Sequence, residues 1–224
     1  MLDLKGYGGQ LIEGAEMTLL VSAISLLFGI LVGFLGAGAK LSRFRALRVL
    51  ADAYTTVIRG IPELIIILLL YFGGTVTLSR LAGHYVEVNG FGAGVFALSI
   101  VFGAYATEVF RGAVLAIPRG QTEAARALGM RRAAVFWTIL LPQLWRFALP
   151  GVGNLWLVLL KDSALISVVG LEELLRKTAI TAGSTRQPFT FYFAAALIYL
   201  GFTVVSATVL HWAERRAARG LESA

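Results

Sequence analysis

The residues of this 224-residue chain with chemistry to offer are a few ionisable and polar groups set inside apolar segments. Glu63 stands in a mostly apolar run from about Tyr54 to Gly74, one residue after Pro62 and four after Arg59. A carboxylate there is costly to desolvate, so it faces a cavity or meets another charge. Both readings are open. Either Glu63 lines a path for a cationic solute, or it pairs with Arg59 across one i, i+4 helix face. Glu108 and Arg111, three apart at the end of another apolar run, read as a structural ion pair holding the loop that follows. Asn154 reads either as a polar liner of the path or as an interhelical hydrogen-bonding group. Lys161 and Asp162 read as the outer rim of the same segment. None of these groups forms a catalytic set. His84 and His211 lie far apart and cysteine is absent, so no metal site and no disulfide is expected. There is also no G-x-x-x-x-G-K-S/T phosphate loop, so this chain is not expected to bind or hydrolyse ATP by itself.

The elements that carry these groups follow from composition. Hydrophobic residues make up 58% of the chain and charged residues 15%, and the mean hydropathy is +0.78. That balance belongs to membrane proteins, because a spanning helix needs about 20 mostly apolar residues. Met17–Ala39, Val88–Thr107 and Gln187–Ala213 carry no charge at all. Two more segments are interrupted, one by Arg59 and Glu63 and one by Pro142 and Pro150. The expectation is an all-α membrane protein of five transmembrane helices, at about 17–39, 54–74, 88–110, 143–160 and 189–212. Ser163–Leu171 is too short to cross and reads as an extracytoplasmic helix packed on the bundle. One membrane domain over residues 16–213 is expected, between a short extracytoplasmic tail (1–15) and a cytoplasmic tail (214–224). Asp3, Lys5, Glu13 and Glu16 give the first residues a net negative start, unlike a cleavable signal.

Orientation comes from the loop cations. Lys40–Arg59, Arg111–Arg146 and Arg215–Arg219 hold most of the 20 Lys and Arg residues. Cytoplasmic loops carry that excess, which puts the N-terminus outside and the C-terminus inside. The net charge of +7 is then explained by these loops and by membrane lipid headgroups, with no call on nucleic acid. Gly29, Gly33, Gly36 and Gly38 in the first span allow close helix packing, either within the chain or at a subunit seam.

Between the third and fourth spans lies Gln121–Pro142, QTEAARALGMRRAAVFWTILLP. Pro118 and Thr122 suit a helix start, Glu123 its positive first turn and Gly129 its left-handed stop. Ala124, Ala125 and Leu128 share a face at i, i+3 and i+4 spacing, giving a small-residue surface that lets another backbone approach. This segment resembles the EAA loop of permease subunits of ABC importers. The resemblance extends to GAGAKLS (Gly36–Ser42), YTTVIRGIPEL (Tyr54–Leu64), GAYATEVFRGA (Gly103–Ala113), ALPGVGNLWLVLLKDSAL (Ala148–Leu165) and LISVVGLEELLRKT (Leu165–Thr178). Together these look like the polar amino-acid branch, which includes the histidine/lysine/arginine/ornithine, arginine and opine permeases.

The resemblance implies a type I ABC importer permease fold in a bacterial inner membrane. It implies that Gln121, Thr122, Glu123, Ala124, Ala125, Leu128 and Gly129 couple the chain to an ATPase, with coupling loop 111–142. It further implies two ATPase subunits that carry ATP and Mg, a second, related permease in a heterodimer (a homodimer being the alternative), and a periplasmic amino-acid-binding protein. The solute is then a basic or polar L-amino acid or a related opine. Where many members have Arg-Gly-Thr-Pro-Leu, this chain has Arg59-Gly60-Ile61-Pro62-Glu63. The competing reading is a self-sufficient secondary transporter or channel, with its site at helices broken by Pro62 and Pro150.

Overall fold

The computed structural model describes residue 4 and residues 6–218. Lys5, Arg219 and the end of the expected C-terminal tail lie outside the described residues. Among the described residues all regular structure is helical. Five helical stretches are long and apolar enough to cross a membrane: Gly8–Lys40, Glu63–Ala82, Gly90–Ala116, Arg132–Val169 and Pro188–Ala217. The first is α1 (Gly8–Lys40), and the second and third are α3 (Glu63–Ala82) and α4 (Gly90–Ala116). The fourth is a composite of α6 (Arg132–Val135), a π-helical turn (Phe136–Leu140), α7 (Leu141–Asp162) and a 3₁₀ segment (Ser163–Val169). The fifth lies within α9 (Pro188–Ala218). Three non-spanning helices complete the order: α2 (Arg45–Gly60), α5 (Arg119–Ala127) and α8 (Leu174–Thr185).

The second span differs from expectation for a local reason. Ile61 precedes Pro62 and takes an extended backbone, φ −113° and ψ 139°, as the steric clash with a following proline ring requires. The run Tyr54–Gly74 is therefore cut. Its first part ends amphipathic α2, and the span begins at Glu63. The fourth span is longer than expected, because Arg132 opens it inside the segment assigned to the coupling loop. Pro142 offers no N–H to the helix, and just before it the Leu141 amide reaches back five residues to the Phe136 carbonyl, a widened turn. Pro150 sits within α7 without ending it. Ser163–Val169 does not form a separate outer helix; it continues the span, with Ser163, Ile166 and Val169 buried.

Helices α1 and α4 form the centre and run parallel. Ser99 Oγ meets the Ser25 carbonyl midway along α1, and further along both helices Lys40, at the end of α1, meets Glu108. Gly29, Gly33 and Gly36 face Phe102, Ala106 and Thr107, and a Cβ on Gly33 would strike the Ala106 side chain. The glycine row therefore serves packing within the chain. Phe102, Ala106 and Phe110 of α4 join Val21 and Ala37 of α1 and Ala148 and Val152 of α7 in one core.

Polar locks sit at both ends. Lys40 bridges Glu108 and, at 2.8 Å, Asp52 of α2, with its side chain only 8% exposed. At the opposite end Glu173 is fully buried. Its carboxylate accepts the Leu175 and Arg176 amides at 2.8 Å each, capping α8. It also accepts the hydroxyls of Tyr199 and Thr18, at 3.1 Å and 3.4 Å, so one side chain ties α1, α8 and α9 together. Burial pushes its carboxyl above the usual range, outweighing these hydrogen bonds.

Candidate functional site

A cavity of about 310 Å³ opens between the start of α3, the middle of α4 and the second half of α7. Its polar lining is Glu63, Tyr105, Asn154 and Asp162, set among aliphatic side chains such as Val101 and Val158. Among the described residues no Lys or Arg lines it. The volume is at the small end of ligand sites, a fit for a solute of amino-acid size. Each polar group arrives by helix geometry. Pro62 starts α3 so that Glu63 stands in its first turn, where the helix dipole favours a negative charge. Asn154, Val158 and Asp162 follow at i, i+4 and i+8 on one face of α7. Leu98, Val101, Phe102 and Tyr105 do the same on α4. Tyr105 Oη donates to Glu63 Oε1 at 3.0 Å, which fixes the carboxylate and leaves its second oxygen open.

Sequence-predicted partners are partly rearranged. Arg59 makes no ion pair with Glu63 among the described residues; its guanidinium instead sits over the Tyr105 ring, 5.2 Å from the centroid. The i, i+4 argument fails because the break at Ile61–Pro62 separates the two residues onto different helices. Asn154 hydrogen-bonds to no protein group among the described residues and faces the cavity. Asp162, read from sequence as an outer rim residue, lines the cavity, since the span runs on to Val169. Its spacing of eight from Asn154 was the available signal. Tyr105 had none beyond its place in an apolar helix. Glu108 receives Arg111 Nε at 2.8 Å in addition to Lys40, so the two residues join a four-residue cluster rather than an isolated pair. A second, wider cavity of about 560 Å³, bordered by Tyr71, Glu87 and Glu172, lies toward the Gly90 end of α4.

The Gln121–Gly129 segment folds as α5, which starts after Pro118. Thr122 and Glu123 thus lie beyond the first turn, not at the start. Leu128 caps the other end and Gly129 follows at φ +76°. There the Met130 amide returns to the Ala125 carbonyl at 3.1 Å and the Gly129 amide to Arg126 at 2.9 Å, the bonding of a left-handed helix stop. Ala125 is 3% exposed and turns inward, while Leu128 is 84% exposed. The outward row is therefore Gln121, Ala124 and Leu128, without Ala125. Gln143 at the base of α7 donates to Gln121 Oε1 at 2.6 Å, joining the small helix to the span that forms one cavity wall.

The family described as binding-protein-dependent transport system inner membrane component matches residues 25–219, which take in the cavity, the ion cluster and α5 together. The chain belongs to that family. The permease is 51% identical to the nopaline transport system permease protein NocQ of Agrobacterium fabrum, over 97% of this chain and 95% of the relative. It is 41% identical to the histidine/lysine/arginine/ornithine transport system permease protein HisQ of Escherichia coli, covering 99% of each. Among solved structures it matches the crystal structure of an amino acid ABC transporter with histidines, at TM-score 0.83 and 36% identity over 94% of this chain and 95% of that one. The inward-facing MetNI methionine ABC transporter matches at TM-score 0.78 and 20% identity over 95% of this chain and 98% of that one, a likeness of fold.

Proposed function

We propose that this permease forms one half of the translocation path of an ATP-driven importer for basic amino acids or opines. One observation carries the reading: Glu63 and Asp162, with the Asn154 amide, line a single cavity against the middle of α4 that no Lys or Arg among the described residues lines. Two carboxylates held away from bulk water are costly unless a positive group joins them. A guanidinium or ammonium side chain supplies that charge, and Asn154 offers both donor and acceptor for its polar remainder. The relatives named for nopaline and for histidine, lysine, arginine and ornithine agree with such a solute.

The loop cations place the Lys40 and Ala116 ends of α1 and α4 in the cytoplasm of a bacterial inner membrane, with the N-terminus outside. α5 then projects toward a pair of ATPase subunits carrying ATP and Mg, and its row of Gln121, Ala124 and Leu128 is the docking face. A second permease, a related chain or another copy, completes the path, and a periplasmic binding protein delivers the solute to the outer cavity. ATP binding moves α5, and the Gln121–Gln143 link and α4 carry that motion to the cavity walls. An unpartnered exposed helix of this kind has no role in a self-sufficient carrier. The test is uptake of labelled arginine by the complete complex in proteoliposomes, with lysine, ornithine, histidine, nopaline and glutamine as competitors. Strong competition by the cationic solutes and weak competition by glutamine is the expected result; glutamine competing as well as lysine would overturn the reading.

A further inference from the structure

A third cavity, of about 210 Å³, shares no lining residue with the cavity of Glu63 and Asp162 and lies between the last turns of α1 and α4 and the π turn. Phe34 and Gly38 of α1, Leu41 just after it, Phe110 of α4 and Phe136 and Leu140 of the π turn border it. The three phenylalanines meet edge to face, Phe34 to Phe110 at 5.8 Å and Phe34 to Phe136 at 6.5 Å. The row Phe34, Gly38, Leu41 is exposed along the side of the bundle, so the cavity is a groove open sideways to the bilayer. A Cβ on Gly38 would meet nothing within 4 Å. Three chain segments leave the groove at the same end, and each carries arginine within a few residues: Arg43 and Arg45 after Leu41, Arg119 after Ile117, and Arg131 and Arg132 before Phe136. All five are exposed, and none has a carboxylate within 4.0 Å among the described residues, in contrast to Lys40 and Arg111 nearby.

We propose that this groove is a lipid site that takes an acyl chain of one anionic phospholipid, with its phosphate headgroup held by the arginine rim. The apolar, aromatic walls suit a hydrocarbon chain and offer nothing to a polar solute. Arginines without a carboxylate partner, Arg43 lying over the Phe44 ring at 5.1 Å, suit a phosphate, which guanidinium groups recognise by paired hydrogen bonds. An anionic headgroup beside cytoplasmic cations is also where leaflet charge draws such lipids. The π turn forms one wall between α5 and the cavity-lining half of α7, so the lipid braces the segment through which the small helix joins its span. The site is independent of which solute is carried, and only the naming of the leaflet rests on the orientation proposed above.

The test uses the complete transporter in nanodiscs and needs no transport. Trp137, 66% exposed, sits with its ring 5.3 Å from that of Phe136, so bromine on a chain in the groove quenches its fluorescence. With the other three tryptophans replaced by Phe, brominated phosphatidylglycerol is titrated into phosphatidylcholine, against brominated phosphatidylcholine as control. Half-quenching is expected at a much lower fraction of the anionic lipid. A cation near the surface contributes roughly fivefold in attraction, so R43Q/R119Q/R132Q should erase a preference of up to about a hundredfold. Gly38→Leu, which fills the groove mouth, should reduce quenching by both lipids. Should the three-tryptophan replacement fail to assemble, native mass spectrometry of the wild-type and arginine-variant complexes reads the same preference as retained phosphatidylglycerol. Equal behaviour of the two lipids means ordinary annular contact and overturns the proposal. Quenching untouched by Gly38→Leu, or seen only when the ATPase is stripped away, also overturns it, the latter by assigning the groove to a protein partner.

Discussion

Replacing Glu63 by Gln removes one charge from the cavity and little else. The amide keeps the carbonyl oxygen that accepts from Tyr105 Oη at 3.0 Å, and it fits the volume of the carboxylate. What is lost is the second oxygen, the one left open toward the cavity, as an ionised acceptor. Hydrogen bonds to charged groups are worth about 1.5–3 kcal/mol, so affinity for a cationic solute should fall roughly ten- to a hundred-fold. Asp162 keeps the site from losing all its attraction. The empty protein should suffer no matching loss of stability, because two like charges sharing one cavity repel and the substitution relieves them. The assay is initial uptake of arginine and of glutamine by the complete complex, at saturating loaded binding protein, alongside the thermal midpoint in detergent. Arginine uptake should collapse, glutamine uptake should hold, and the midpoint should stay level or rise. Equal loss for both solutes, with a lowered midpoint, would refute the reasoning and make Glu63 a structural residue.

The other expectations are briefer. Gly129→Val forces a branched side chain into a backbone at φ +76°, a strain of about 1–2 kcal/mol or more; ligand-stimulated ATP hydrolysis by the complex should fall sharply while membrane insertion is unchanged. Lys40→Met removes the cation between Glu108 and Asp52. Asp52 is well exposed and Glu108 keeps Arg111, so the cost is that of one charged hydrogen bond, about 1.5–3 kcal/mol; the thermal midpoint should drop, and Glu108→Gln added to it should restore part of the loss. Glu173, whose carboxyl is raised by burial, binds its proton more tightly folded than unfolded, so stability should decline as pH rises from the ordinary carboxylate range through the raised value; Glu173→Gln should flatten that slope in pH-dependent melting, and Glu173→Ala should lose about 1 kcal/mol of capping instead. Finally, in this cysteine-free chain, Ser184→Cys should react with an impermeant reagent in intact spheroplasts and Arg126→Cys only after lysis; the reverse pattern would invert the orientation.

Much of this molecule is legible in one dimension because the bilayer simplifies the problem. The five spans announce themselves by length and apolarity, and the left-handed stop of α5 by its glycine. What the sequence hid were events that depend on one bond or one face. The same Pro62 that marked Glu63 as unusual also separated it from Arg59, and periodicity counted across that proline joined residues that the chain keeps apart. Asp162 was placed at a rim because the hydrophobic stretch was judged to end there, although Ser163–Val169 carries the span onward in a tighter helix. Ala125 turned inward because it stands about 100° round the helix from Ala124, so the two neighbours cannot both face outward with Leu128. Helix α8 went unread because its core-facing residues include Thr178 and Thr181, whose hydroxyls bond back to carbonyls of the preceding turn and so are buried without looking apolar.

The parallel seam of α1 and α4 has a mechanical consequence. Interlocked through glycine notches over several turns, the two helices make a stiff shaft, and Pro118 hinges α5 directly to its end. From Tyr105 at the cavity to Ala116 at that end is eleven residues of α4, an arm of about 17 Å at 1.5 Å per residue. A tilt of about 10° at α5, pivoting on the cytoplasmic end, sweeps the Tyr105 level sideways by about 3 Å. That is as long as the Tyr105–Glu63 hydrogen bond itself. A modest rotation of the shaft past α3 and α7 is therefore enough to pull one jaw of the cavity off its charge, and under the proposed function capture and release of the solute become two settings of a single lever.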